Sequence, residues 1–588
     1  MKKVKKSLLF SSVSAALVAT PVVTTACSAS AHDTLINNLK SVQNPNGTWT
    51  NVDYYSTPSK NYHVYLRNSD LANYLTSGHS KAQVSELQTK LHDTITYQVT
   101  EYNTEKYGKQ YFIPAAQISS EGAASYTSIW VRDSVWNILA LKAQGRTDDA
   151  NNCSKSLFQY FRTANQIQRI KNVLNDPYIL LESKGAMNGV HIRFDAHTLE
   201  DVQEDGHDQY WSHKQNDALG LFLSLLVEFA KEHLGDTTLW PGQDEDMKTI
   251  VRLVTYLNYV DYVDMEDSGA WEEVEKIACS SVACVTSAFN AVQLAYGDGT
   301  TKFAIAYEKA RSALTSEDKK FYDWSGIEDD AAAESTGIKT AIKNAYLKTI
   351  KVSIEKGGES VRYPQSDEEY READTAMLCL IYPYKLPDYA YVDEQHPENN
   401  FTYDVLSKIK ILSIVENNNN DYGIIRYKDD NYQCSDYWFY DIPADVSEES
   451  HKKRKEIFIS GSEASWFFDS WMAICYAKVL EELLPLQDET YTNYKLWAFN
   501  KLHYHINKAL AFVDKAGAYR SDGTKTTEAS LPESYTVVTK NRNDNSTAWY
   551  RLASPVDPLR WAQSSMILML DVLSKIGDNI IPQTLPTN

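Results

Sequence analysis

The amino-acid sequence predicts an all-α protein whose helices close into a two-layer barrel, and three observations carry that expectation. Apolar residues recur at helical spacing: Leu219, Phe222, Leu223, Leu226, Phe229 and Ala230 fall on one helix face, and Ile250, Leu253, Val254 and Leu257 repeat the pattern. Strand-type alternation is brief and scattered. Finally, Trp130-Val131-Arg132-Asp133, Gln215-Asn216-Asp217, Trp271-Glu272-Glu273 and Glu463 each stand at the start of an apolar run. Alternate helices pointing the same way round a ring would gather such positions at one rim, which favours a barrel over a simple bundle.

Taken in chain order, MKKVKK, the apolar stretch Leu8 to Val23 and Ala29-Ser30-Ala31 read as an export signal spanning 1–31. The same segment admits a second reading. Thr24-Thr25-Ala26-Cys27 is a loose lipobox, and cleavage after 1–26 would leave Cys27 to carry a lipid. Residues 32–81 are rich in Ser, Thr, Asn, Gly and Tyr and predict an irregular N-terminal cap or tether. A helical domain is expected over 82–578, with stripes near 134–145, 155–174, 274–295, 338–352, 373–381, 463–484, 493–513 and 561–575. No self-similar period marks a solenoid.

Composition narrows the partner. Hydrophobic content of 43% and charged content of 23% fit a soluble globular chain rather than a disordered or multi-span one. A formal charge of −20 repels phosphate backbones and anionic lipid, which argues against nucleic acid and leaves an N-terminal lipid as the route to a membrane. The deviation is aromatic: 39 Tyr and 13 Trp supply rings that stack on a ligand and offer a polar edge. Six cysteines besides Cys27 form no C-x-x-C pair, and His191, His197, His207 and His213 lack ligand spacing, so no metal is expected.

The aromatic-polar strings suit a sugar, whose C–H faces stack on indole while its hydroxyls seek carboxylate, guanidinium and amide. Breaking a glycosidic bond by inversion needs one carboxylic acid to protonate the leaving oxygen and one carboxylate to activate water. Glu272 is the candidate acid. Trp271 and Glu273 beside it could raise its pKa, whereas a first helical turn, where the motif is expected, would lower it. The candidate base is Glu533 in Leu531-Pro532-Glu533. Trp130, Arg132, Asp133, Trp211, Gln215, Asp217, Trp271, Glu273 and Arg362 are expected to bind substrate. The plainer alternatives are helix caps, surface ion pairs and solvated loop carboxylates.

Together these strings resemble the glucoamylase-like glycoside hydrolases of family 15, including the branch related to phosphorylase kinase regulatory subunits. Trp130-x-Arg132-Asp133, Gln215-Asn216-Asp217, Asp267 to Glu273, Arg362-Tyr363-Pro364, Leu531-Pro532-Glu533 and Pro558 to Ala562 each look like a family segment, across about residues 95–575. The resemblance implies an (α/α)6 barrel of the six-hairpin glycosidase type, inversion at the anomeric carbon, release of glucose from α-glucans or α-gluco-oligosaccharides, and no cofactor. Three segments depart from the family pattern: His213-Lys214 stands where Arg-Pro is expected, Glu533-Ser534-Tyr535 replaces Glu-Gln-Val-Trp, and Arg560 and Gln563 stand where small or His residues are usual. The reading that follows is an exported, extracellular or lipid-anchored inverting glycosidase. Its alternative is a carbohydrate-binding lipoprotein that keeps the barrel without turnover.

Overall fold

The computed structural model describes residues 31–39 and 64–576, apart from 66–67, 69, 73, 76–79, 117–125, 205, 318, 331, 333–334, 421–422, 441, 443–447 and 540–547. Residues 1–30, on which both signal readings and Cys27 fall, lie outside them. Among the described residues no helix is long and apolar enough to cross a membrane.

The main helices are α1 (Lys81–Lys90), α2 (Val131–Ala143), α3 (Thr147–Phe161), α4 (Asn216–His233), α5 (Gln243–Tyr259), α6 (Cys279–Tyr296), α7 (Lys302–Glu317), α8 (Ile338–Ala345), α9 (Val405–Val415), α10 (Asp469–Leu483), α11 (Thr492–Ala511) and α12 (Arg560–Ile576). Six elements form a closed inner ring. α2 packs on α4, α4 on α6, α6 on the 3-10 stretch Thr375–Leu380, that stretch on α10, α10 on α12, and α12 back on α2. An outer layer of α3, α5, α7 with α8, α9, α11 and α1 backs the ring. This is the (α/α)6 barrel.

Sequence explains which layer each helix joins. α6 carries Cys279, Ser280, Ala283, Cys284, Ser287 and Ala288, small residues that are buried around the helix, whereas α3 opens on Asp148 and Asp149 and keeps a polar outer face. Close approach inside the ring depends on one glycine: a Cβ on Gly220 of α4 would lie 2.5 Å from the Cys284 carbonyl carbon of α6.

Some expectations need redrawing. The 155–174 stripe is two helices, the second running Ala164–Asn175, and the 274–295 stripe becomes helical only at Cys279. The expected irregular N-terminal cap contains a described helix. Residues 31–39 are helical, and Leu35, Ile36 and Leu39 bury against Phe439, Val538, Tyr550 and Leu552. Short strands β1 (Val64–Tyr65), β2 (Asn419–Asn420), β3 (Gly423–Ile424), β4 (Ser465–Trp466), β5 (Ser534–Thr539) and β6 (Ala548–Ala553) form one sheet in the order β1-β6-β5-β4-β3-β2. The sheet places Glu533 immediately before the fully buried β5.

Candidate active site

Five of the six inner elements have residues at or shortly before their N-terminal ends on the wall of one cavity: Trp130 and Asp133 at the first, Trp211 before the second, Trp271 before the third, Phe468 before the fifth and Trp561 at the start of the sixth. It encloses about 870 Å³ of empty space, its open mouth included. Glu272 and Glu533, 261 positions apart, both line it.

Glu272 is carried by a tight turn rather than a helix. Gly269–Trp271 form a single 3-10 turn, and both Gly269 and Glu272 adopt the left-handed region with φ near 60°. The expected placement of Trp271-Glu272-Glu273 in a first helical turn is therefore corrected: α6 begins seven positions after Glu272. The turn is fastened to the start of α4. Ser268 donates through its backbone N and its Oγ to the Lys214 carbonyl, each at 2.8 Å, and Asp267 Oδ2 accepts from Asn216 N and Ser281 Oγ, also at 2.8 Å.

Arg132 ties the acid turn to the ring. Its Nε donates to Asp217 Oδ2 at 2.6 Å, its Nη2 to Gln215 Oε1 at 2.6 Å, and its Nη1 lies 3.5 Å from Glu272 Oε1. Burial raises the Glu272 pKa against the opposing pull of Arg132 and Arg193. Gln215 and Asp217, expected to touch sugar, are fully buried and do not line the cavity; Asp217 pairs with Arg132, and Gln215 bonds both Arg132 and Glu272. Glu273 accepts from Arg426 Nη2 at 2.5 Å and from the Tyr427 hydroxyl. Although burial opposes it, Arg426 leads the groups that hold the Glu273 carboxyl down at about 2.

Glu533 accepts hydrogen bonds from neutral donors. The Tyr126 hydroxyl lies 3.1 Å and 3.0 Å from its two oxygens, and the Gln433 amide donates to Oε2. Burial pushes this carboxyl up to about 7. Asp133, also on the cavity wall, is raised by burial to about 7.

The walls contain residues the sequence reading passed over. Trp130 and Trp211 meet edge to face at 6.0 Å, and the Arg193 guanidinium lies over both rings, at 4.8 Å and 4.0 Å. Trp271 is fixed by its Nε1 donating to Asp374 Oδ1 at 2.7 Å. Arg454, Tyr432, Trp466 and Phe467 also line the cavity. Of these, only Trp466-Phe467-Phe468, following Glu463 and leading into an apolar run, carried a signal in the sequence.

Arg362 lies outside the cavity. It donates to Asp264 Oδ1 at 2.6 Å and to the Val263 carbonyl at 3.2 Å, which pins the loop after α5. His213, at the departure from Arg-Pro, is buried and stacks on His191 with ring centroids 3.6 Å apart, while Lys214 pairs with Glu275.

A model of glycosyl hydrolases family 15 matches residues 100–557. Among curated proteins, the chain is 33% identical over 251 residues to the uncharacterized lipoprotein YgeQ of Escherichia coli strain K12, across 41% of this chain and 93% of that protein. Among solved structures it is similar to the glucoamylase from Saccharomycopsis fibuligera, with TM-score 0.47 and 12% identity over 86% of this chain and 99% of that one. A wild-type glycosidase gives TM-score 0.43 and 17% identity over 84% and 97%. Both structural likenesses are distant, and the assignment rests on the family match, which spans the segments carrying both cavity carboxylates. This chain belongs to glycosyl hydrolases family 15.

Proposed function

We propose that this family 15 glycoside hydrolase is an exported inverting enzyme that releases glucose from the ends of α-glucans or α-gluco-oligosaccharides. The observation that carries the reading is the meeting of Glu272 and Glu533 in one aromatic-walled cavity, each in a different chemical setting. Glu272 protonates the glycosidic oxygen, and Arg132 beside it stabilises the carboxylate left behind. Glu533 takes a proton from the water that attacks the anomeric carbon on the opposite face. Trp130, Trp211 and Trp271 are the stacking walls, while Asp133, Glu273 and Arg132 face the hydroxyls.

The test is release of β-glucose from maltose, isomaltose or trehalose, read by anomeric NMR on the purified protein. Glu272→Gln and Glu533→Gln are each expected to abolish release while the fold persists. Activity surviving in Glu272→Gln removes the acid assignment. Export through a lipid on Cys27 is supported by the naming of YgeQ as a lipoprotein. Metabolic labelling with palmitate, lost in Cys27→Ser, tests it.

A binding protein without turnover is the second reading. Its support is the departure of two segments from the family pattern, Glu533-Ser534-Tyr535 at the base loop and His213-Lys214 before α4. Saturable binding of malto-oligosaccharide by calorimetry, with no product by chromatography, would establish it.

A further inference from the structure

We propose that Gln433 is a positioning residue for the base: its side-chain amide, oriented by the Ser534 hydroxyl, holds the Glu533 carboxylate ready to receive a proton from water. The inference rests on the assignment of Glu533 as base.

Gln433 is fully buried and belongs to the loop after β3, 100 positions before Glu533. Its Nε2 donates to Glu533 Oε2, and its Oε1 accepts from Ser534 Oγ. The donor pattern is directional. A carboxylate only accepts, so the NH2 end of the amide must face it, and the amide oxygen is then left to accept from the Ser534 hydroxyl. Ser534 occupies the position that is Gln in the Glu-Gln-Val-Trp pattern, and the amide reaching the base comes here from a separate loop.

The backbone of that loop adopts an uncommon path. Asp429, Gln433 and Asp436 all have φ between 53° and 65°. Such conformations are uncommon in non-glycine residues and persist where surrounding contacts over-determine them. Those contacts run along β5. Asp436 N donates to the Val537 carbonyl at 2.8 Å, and Thr539 N donates to Asp436 Oδ1 at 2.9 Å. Stitched to the strand at 436, the loop delivers the side chain of Gln433 to the residue that opens it.

The other groups acting on Glu533 are Tyr126, whose hydroxyl touches both carboxyl oxygens and lies 2.9 Å from that of Tyr432, together with Tyr437, Arg426 and Asp133. Asp133 favours the protonated form, while Arg426 and the amide favour the carboxylate. Removing the amide donor therefore raises the pKa of the base and moves the acid limb of the rate profile to higher pH.

The experiment compares pH profiles of kcat and kcat/KM for the full chain and for Gln433→Asn, Gln433→Glu and Ser534→Ala, with thermal unfolding as the folding control. Asn tolerates the left-handed backbone but is one methylene too short. It is expected to move the acid limb up by about one pH unit, an activity loss of roughly tenfold below the limb, with KM within about twofold. Gln433→Glu, isosteric and unable to donate when ionised, is expected to move it further, and Ser534→Ala less. Limbs unmoved in folded Gln433→Asn and Gln433→Glu overturn the proposal; if Asn does not fold, Glu and Ser534→Ala decide. Glu533→Ala separates the two levels. Full activity there refutes the base assignment, whereas an inactive Glu533→Ala beside unmoved Gln433 profiles refutes only the positioning role.

Discussion

The two cavity carboxyls are held by opposite means. Glu272 sits on a turn at the head of an inner helix, faces Arg132 and is influenced by Arg193; Glu533 opens a buried strand among phenol and amide donors. Burial raises both. On the roles proposed above, the cation beside Glu272 would stabilise the anion formed as it gives up its proton, while Glu533, hydrogen-bonded to uncharged phenol and amide donors, would take up a proton from water readily. Neighbours, rather than residue type, set the two carboxyls apart.

The comparison breaks most visibly in the rates. Glu272→Gln and Glu533→Gln are each expected to lower kcat on unactivated glucosides by about 10²–10⁴. With α-glucosyl fluoride, whose leaving group needs little protonation, Glu272→Gln should recover most of its rate and Glu533→Gln none. Equal recovery in both would mean the assignments are wrong.

Next in size is the support behind the acid. Asp217→Ala leaves a buried guanidinium short of its partner and is expected to destabilise the fold by about 3–5 kcal/mol, measured by urea unfolding. In the folded fraction Arg132 turns towards Glu272, so its pKa falls and the basic limb of kcat/KM moves to lower pH. A limb that stays in place would show that Arg132 does not tune Glu272.

The base offers a stability test with a fixed sign. The Glu533 carboxyl is at about 7 when folded and near 4.3 when unfolded, so its protonation favours the folded state at low pH. That contribution is present in full below about 4.3 and is lost as pH rises through about 7. Glu533→Gln removes the penalty, and its Tm relative to the parent protein should be higher at pH 8 than at pH 5. The smallest effect is expected at Arg362, where the pair with Asp264 is about 30% exposed. Arg362→Ala should cost less than about 1 kcal/mol and leave kcat/KM unchanged, since neither residue borders the cavity.

Much of the barrel was legible because inner and outer helices bury apolar stripes of ordinary period, as at Leu219–Ala230 and Ile250–Leu257. The strings before those stripes located the cavity rim for the same reason: a closed ring brings the starts of alternate helices together. The pattern was silent about Tyr126, Arg193 and Gln433, which come from irregular or very short extended segments with no period to mark them. Arg362 shows the converse, an Arg-aromatic string that reads like a sugar contact and serves to pin a loop.

By itself the sequence determined the helical class and the rim strings, and singled out two carboxyls that line one cavity, because helix periodicity and residue chemistry are local properties. Which of the polar residues face the cavity and which stand behind it was decided only by tertiary structure. Gln215 and Asp217 hold Arg132, and Gln433 reaches Glu533 from 100 positions away. Burial and donor placement, which set whether a carboxyl keeps its proton, arise only when such distant segments close round the same space.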